Sequence, residues 1–548
     1  MIKKIFTVTA WLLATATTGM ACTNMIVGKK ASADGSVLVS YNADDYGKYG
    51  YLCHFPAGKH APGTMRDIYE WDTNKYLGKI PEAPETYNVV GNMNEYQVSI
   101  GETTFGGRPE LQDSTGIMDY GSLIYVALQR SRSAREAIKV MTNLVKQYGY
   151  YSSGETFTIA DPNEAWIMEM IGKGPGNKGA VWVAIRIPDD CICAHANQSR
   201  IHKFDMADKK NVLYSPDVIS FAREKGYFKG INKDFDFAAA YCPLNFEGLR
   251  FCEARAWSFL RKFNKDMDQY LDYAEGKNPD NLMPLYVKPD RKLSVQDIEN
   301  ANRDHYEGTP LDMTVDCTAG PYASPYRPTP LTYKVNGKEY FNERPISTQQ
   351  TSFTFVAQMR ENMPNAIGGV LWFGTDDPNM TVYTPVYCCT DSIPECYDVK
   401  TGDDITFSWK SSFWIYNWVA NMVYPRYSQM FGDVKELRDS IENSFFARQA
   451  EFEKEALALY QSNPSKVKDY LTNYSVNSAN NTVKRWKELG EYLVARYNEL
   501  NQQAVDEKGN LQWHNTGKGY TDAYKQLMLK ETGNRYAVPV EKNATEPH

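Results

Sequence analysis

The stretch Ala21-Cys22-Thr23-Asn24-Met25 decides how the rest of the chain is read. Before it, Lys3 and Lys4 give a basic start, residues 8–16 form an apolar run, and Gly19-Met20-Ala21 is a small-x-small close. A signal peptidase cuts that layout, and cleavage after Ala21 makes Cys22 the first residue of an exported chain. After it, residues 23–28 read as a strand, 29–35 as a connection rich in turn formers, and 36–41 as a second strand. If 29–35 is the whole loop, residue 28 faces 36 and Cys22 faces Asn42. A tighter turn at Asp34-Gly35 sets Cys22 opposite Gly47 instead. Either register brings Asn42-Ala43-Asp44-Asp45 beside the cysteine.

An N-terminal cysteine carries a thiol and, on the same residue, an α-amine. That amine titrates near neutrality, at roughly 7.7–8.0, whereas a lysine sits at roughly 10.4. The pair is therefore equipped to attack a carbonyl without a histidine base. Lipidation is the competing fate, because bacterial lipoproteins also begin at a cysteine. Their signals favour a Leu-like residue three places earlier, and here Gly19 stands there.

Composition narrows the classes further. Removing the signal leaves 527 residues, enough for a large domain with extensions or for two to three domains. Hydrophobic residues at 42% and aromatics at 13% fit a packed globular protein. The net charge of −7 becomes −9 without Lys3 and Lys4, which argues against a nucleic-acid partner. No apolar run of about 18 residues follows the signal, so no membrane span is expected. Export permits disulfides. With Cys22 free, nine of the ten cysteines remain, so at least one more is unpaired within a monomer. Cys191-x-Cys193 and Cys388-Cys389 match no zinc spacing, and the seven histidines form no His-Glu-x-x-His motif, so neither metal nor cofactor is expected.

Outward from the first hairpin, residues 53–87 are rich in Pro, Gly and charge and read as a long loop lining the approach to Cys22. A second hairpin spans 88–91 and 97–105 and runs into Glu102-Thr103-Thr104, polar groups at a strand terminus. Helices follow at 123–130 and 134–147, the latter opened by Ser133 with Glu136 three places on and stopped by Gly149. Ala137, Ile138, Met141, Leu144 and Val145 make one apolar stripe. Strands resume at 156–160, 165–171, 180–187 and 191–196, several apolar on both faces. The last runs into His195-Ala196-Asn197, where an amide at a strand end is placed to donate to an oxyanion. His195 is read as a structural histidine. From about Pro216 the pattern turns helical and includes Arg255, for which a surface position is the default. Strand character returns at 351–359 and 367–372. Beyond Asp404, long helices such as 446–460 and 481–499 suggest a helical layer on the core, and 541–548 read as an untethered tail.

Taken together these motifs resemble the secreted dipeptidases with an N-terminal cysteine nucleophile. The residues that carry the resemblance are Cys22-Thr23, Asp34-Gly35-Ser36, Asn42-x-Asp44, Gly91-x-x-Asn94-Glu95, Glu102-Thr103-Thr104, Ile159-Ala160-Asp161, Ala196-Asn197, Asp304-His305-Tyr306-Glu307-Gly308 and Glu343-Arg344-Pro345-Ile346-Ser347. That family belongs to the N-terminal-nucleophile hydrolases, related to penicillin V acylase and bile-salt hydrolase. The resemblance implies an α+β fold, a four-layer αββα sandwich with an added C-terminal helical layer. It also implies a signal over 1–21, a hydrolase core over 22–403 and a helical region over 404–548. By the same resemblance Cys22 is the nucleophile, Asp44 holds its amine, Asn197 donates to the oxyanion and Arg255 supports the nucleophile or substrate. Asn42, Glu102, Thr103 and Thr104 are the expected substrate contacts. Two departures stand out: Tyr41 occupies the place of an acylase arginine, and Glu102-Thr103-Thr104 that of an asparagine. This more acidic balance suits a substrate with a free ammonium. The expectation is an exported, periplasmic or extracellular cysteine dipeptidase acting on short unblocked peptides, with a homo-oligomer compatible with the sequence. An acylase of other small amides and a lipid-anchored peptide-binding protein are the alternatives.

Overall fold

The computed structural model describes residues 22–539. The expected signal over 1–21 and the tail over 541–548 lie outside the described residues. The chain is mixed α and β, with two large sheets and a C-terminal helical region.

Strand β1 (Thr23–Val27) pairs antiparallel with β2 (Val37–Asp44), with Thr23 opposite Asn42 and Val27 opposite Leu38. The expected register is therefore corrected by one residue: Asn42 faces Thr23, not Cys22. The loop is longer than 29–35 because Gly28 already turns, its carbonyl accepting from Ala31 and Ser32, and Asp34 Oδ1 accepts from the Ser36 N–H at 3.0 Å. Gly28 also lies so close to the neighbouring chain that a Cβ there would sit 2.4 Å from the Asp189 carbonyl oxygen. A one-residue shift exchanges the faces of every side chain on β2, and this moves Asn42 away from the thiol and Tyr41 towards it.

The first sheet runs in the order Tyr286–Val287, Ile192–His195, β1, β2, Thr351–Met359, Val370–Thr375, Thr384–Tyr387. The second runs Val212–Tyr214, Ala180–Ile187, Ala165–Gly172, Gly154–Ala160, Ser99–Gly106, Met93–Asn94, Val89–Val90, His54–Phe55. Every residue of Gly154–Ala160 and Ala165–Gly172 is buried, the polar Glu155, Thr156, Thr158 and Glu169 with the apolar ones, as strands covered on both faces require. The two sheets touch through His195 of the first, whose ring nitrogens are each 2.7 Å from a hydroxyl of the second, Thr103 and Thr158.

Helices α1 (Tyr120–Leu128) and α2 (Ala134–Tyr148) pack on the second sheet. Ser133 caps α2 by accepting from the Glu136 N–H at 3.2 Å, Gly149 ends it at φ +81°, and the expected stripe is buried. The stretch read as a long loop, 53–87, contains a hairpin of Met65–Tyr69 with Tyr76–Pro81. Only Ile68 and Ile80 of that hairpin are buried, too few apolar positions to give a period-2 signal.

Against the first sheet lie Ala254–Phe263, Val295–Asn302 and the C-terminal helices Ser412–Val423, Tyr427–Ser462 and Pro464–Arg496. The last two are longer than the segments legible as helices, because their long polar faces hide the stripe. Pro464 starts the second where its missing N–H costs nothing. Buried ion pairs fasten this region: Arg303 to Glu442 at 2.5 Å and Arg360 bidentate to Glu453 at 2.7 Å.

Candidate active site

Cys22 precedes β1 and is 1% exposed. Its carbonyl accepts from Arg255 Nη1 at 2.6 Å, and the same nitrogen donates to Thr23 Oγ1 at 2.8 Å. Arg255 Nη2 reaches Asn197 Oδ1 at 2.9 Å, and Asn197 Nδ2 donates to the Thr104 carbonyl at 2.7 Å. Asn197 sits at φ +60°, a left-handed conformation that asparagine tolerates well. Cys22, Arg255 and Asn197 are thus one connected unit. The surface position assumed by default for Arg255 is corrected: the arginine is buried in Ala254–Phe263, a helix preceded by a π-helical turn at Gly248–Glu253.

The thiol has a second set of neighbours. Cys22 Sγ is 3.6 Å from Tyr41 Oη and 3.7 Å from Glu102 Oε1, and the Tyr41 hydroxyl also donates to that Glu102 oxygen. The two departures from the acylase pattern therefore meet at the sulfur. Burial and the charges of Glu102 and Asp44 push the thiol well above its ordinary range, so it needs a base to become a nucleophile. Close behind it, Asn24 seals the edge of the Ser99–Gly106 strand, its amide accepting from the Glu102 N–H at 3.1 Å and donating to the Glu102 carbonyl at 3.0 Å. Gly101 permits this approach: a Cβ there would lie 2.6 Å from the Asn24 side-chain amide.

The carboxyls near the thiol sit in two different settings. Asp44 is 1% exposed, with Oδ2 accepting from Arg344 Nη2 and Oδ1 from Thr351 Oγ1, both at 2.6 Å. Burial lifts its carboxyl, and Arg344 and Thr351 pull it back. Glu102 and Glu155 are fully buried side-chain neighbours, and among the described residues no lysine, arginine or histidine forms an ion pair with either. Glu155 accepts from Thr104 Oγ1 at 2.8 Å. Burial pushes both carboxyls up, and the like charge of its neighbour pushes Glu155 further. Two buried carboxyls without a cation retain a proton between them.

A narrow cleft, with a cavity volume of about 50 Å³, opens onto Cys22. Tyr41, Tyr49, Tyr51, Trp71, Tyr120, Tyr125 and Phe353 give it aromatic walls, and its charged groups are Asp44, Asp45, Asp72 and Lys48. Lys48 Nζ is 3.7 Å from Asp72 Oδ1, which also accepts from Tyr120 Oη at 2.9 Å. Burial raises Asp72, and burial together with Asp72 raises Asp45.

The four expected substrate contacts do not line this cleft. Asn42 accepts from Thr354 Oγ1 at 2.6 Å, on the face to which the register shift turns it. Glu102 is committed to Tyr41 and the thiol, Thr103 to His195 and Thr104 to Glu155. His195 is held neutral, pushed down to about 3 by burial and by Arg200, and is structural. Sequence reasoning placed the 42–45 segment and the 53–87 stretch around the thiol. It did not single out Asp72, Trp71, Tyr120 or Glu155, and it named Asp45 and Arg344 without giving them a role. Trp71-Asp72 lies in a stretch without periodicity, and the partners of the others come from distant strands.

Comparison with known proteins now adds to the geometry. A "Probable dipeptidase" of Salmonella dublin is 29% identical over 392 residues, covering 67% of this chain and 81% of the relative. A "Probable dipeptidase" of Latilactobacillus sakei is 26% identical over 427 residues, covering 74% and 82%. A "Probable dipeptidase B" of Streptococcus pyogenes serotype M1 is 24% identical over 497 residues, covering 86% and 93%. Residues 21–440 match Peptidase family C69, a span that starts beside the buried thiol and takes in both sheets, so the chain is a peptidase belonging to that family.

Proposed function

We propose that this protein is an exported dipeptidase in which Cys22, freed by removal of 1–21, is both nucleophile and, through its α-amine, base. The observation that carries the reading is the buried Cys22 thiol at the wall of a cleft whose charges are three carboxylates and one lysine. The dipeptidase names of the relatives support the substrate class.

In this reading the amine takes the thiol proton and the thiolate attacks the peptide carbonyl. Asn197 and a backbone N–H stabilise the oxyanion. The amine product leaves protonated, and water, activated by the same amine, hydrolyses the thioester. Arg255 fixes the Cys22 carbonyl and so aims the sulfur, while Asp44 holds the α-ammonium. Asp45 and Asp72, which line the cleft, take the substrate's free ammonium, and the aromatic walls take its side chains. The same reading arranges the two sheets and their helices as a four-layer αββα sandwich over 22–403, with 404–548 as a helical region packed upon it.

The test is amino-acid release from a panel of unblocked dipeptides and N-acetylated amino acids. It compares the chain beginning at Cys22 with the same chain carrying an extra N-terminal methionine that mass spectrometry shows is retained. Release from dipeptides by the first form alone is expected. Equal rates for both forms would remove the amine from the mechanism, and turnover of the acetylated amino acids alone would make the protein an acylase. A lipid mass on the Cys22 peptide of the native protein would replace the nucleophile with an anchor.

A further inference from the structure

The proposed mechanism leaves unused the group nearest the thiol on the cleft side. Tyr41 lines the cleft, its hydroxyl is 3.6 Å from Cys22 Sγ, and its ring is fixed edge-on between Phe353 and Phe355, with centroids 5.6 and 5.7 Å away. Asn197, by contrast, does not line the cleft, and its amide nitrogen is turned to the Thr104 carbonyl. A carbonyl carbon bonded to this sulfur carries its oxygen one bond further. That places the oxygen in reach of a hydroxyl on the same side, at the about 2.7–3.1 Å an oxyanion donor needs.

We propose that the Tyr41 hydroxyl is a further oxyanion donor of this peptidase, switched into that role by the Glu102–Glu155 carboxyl pair behind it. The inference rests on the reading of Cys22 as nucleophile. In the resting site Tyr41 donates to Glu102 Oε1 and so faces away from the substrate. Among the described residues no lysine, arginine or histidine forms an ion pair with the carboxyl pair, and both Glu102 Oε2 and Glu155 Oε2 are buried without a hydrogen-bond partner outside the pair. One proton shared within the pair satisfies them. With that proton held in the pair, Glu102 is a weaker acceptor, and the Tyr41 O–H turns from Glu102 Oε1 to the oxyanion. No covalent bond changes beyond those of acyl transfer: the Tyr41 hydrogen bond swings from Glu102 to the oxyanion as charge leaves sulfur for oxygen, and swings back when the amine departs. A glutamate serves here because, sharing a proton, it accepts weakly enough to release Tyr41. An arginine at position 41 would supply a fixed donor and a charge instead.

Three variants of the Cys22-starting chain test this, each assayed on one unblocked dipeptide. Tyr41→Phe should lower kcat by about 10²–10³-fold, the effect of removing one oxyanion donor, with KM within about threefold. A dipeptide aldehyde, whose hemithioacetal presents the same oxygen, should lose affinity in parallel. Glu102→Gln, which removes the shared proton from this position, should lower kcat by about tenfold, because the introduced amide still accepts from the protonated Glu155 but holds Tyr41 differently. If Tyr41→Phe does not fold, Glu102→Gln alone decides. A loss in Glu102→Gln as large as that in Cys22→Ala would overturn the proposal, as would a kcat within threefold of the parent in Tyr41→Phe. If Cys22→Ala itself retains activity, the underlying reading of the nucleophile fails instead.

Discussion

Asp44 and the Glu102–Glu155 pair flank the same thiol and are equally buried, yet they meet burial in opposite ways. Asp44 receives a guanidinium and a hydroxyl, each at 2.6 Å, from Arg344 and Thr351. Glu102 and Glu155 receive hydroxyls from Tyr41 and Thr104 and, among the described residues, no ion pair from a lysine, arginine or histidine. A buried carboxylate with a guanidinium remains a charge, whereas a carboxyl pair without one holds a proton. One side of the thiol is therefore an ion pair and the other a protonatable group suited to passing hydrogen bonds. Asp45, Asp72 and Lys48 line the cleft that opens onto the thiol.

Replacing the group both sides share gives the largest effect. Cys22→Ser should reduce dipeptide turnover on the order of 10⁴-fold or more, read as amino-acid release under saturating substrate. Next, Arg344→Met breaks the ion pair and leaves Asp44 buried without its guanidinium, with Thr351 still bonded to it. We expect a loss of about 3–5 kcal/mol of stability, measured by urea denaturation, and partial recovery in Arg344→Met with Asp44→Asn. If the single change is neutral, the two settings do not differ as described.

Smaller effects sharpen the contrast. Asp72→Asn should raise KM for unblocked dipeptides roughly tenfold, the worth of one charge-assisted hydrogen bond, and leave KM for an N-acetylated analogue unchanged. Equal shifts for both substrates would remove Asp72 from ammonium binding. The smallest effect concerns pH. The Glu102 and Glu155 carboxyls are raised in the folded chain, so above roughly pH 4.3, where a free glutamate ionises, the folded state binds more protons than the unfolded one. Stability contributed by the pair is full below that pH and is lost as pH rises towards the folded values. Glu155→Gln should flatten this decline between pH 5 and pH 8 in urea denaturation, and an unchanged slope would mean the pair carries no extra proton.

Much of the scaffold was legible because it depends on local rules. Ser133, Glu136 and Gly149 bound α2 by capping and by left-handed backbone, and the stripe of Ile138 and Met141 marks its buried face. The strand pair that begins beside Cys22 was also legible, but its register was not. Whether residue 28 or 27 is the last before the turn depends on the Gly28 carbonyl and on Asp189 pressing against Gly28, and the second is not a property of the hairpin's own sequence. That single residue decides that Tyr41, not Asn42, reaches the thiol.

The sequence alone determined that a cysteine after a signal-like segment leads a strand, that Asp44 lies near it, that Asn197 ends a later strand, and that helices dominate the C-terminal part. These follow from composition, period and turn chemistry, which act over a few residues. Only the tertiary structure decided that Arg255 is buried against the Cys22 carbonyl, that Arg344 comes 300 residues along the chain to Asp44, and that Glu155 stands behind Glu102. The reason is physical: the charge state of a buried group is set by what else is buried with it. Sheet pairing and sheet packing choose those partners from strands that are remote in sequence.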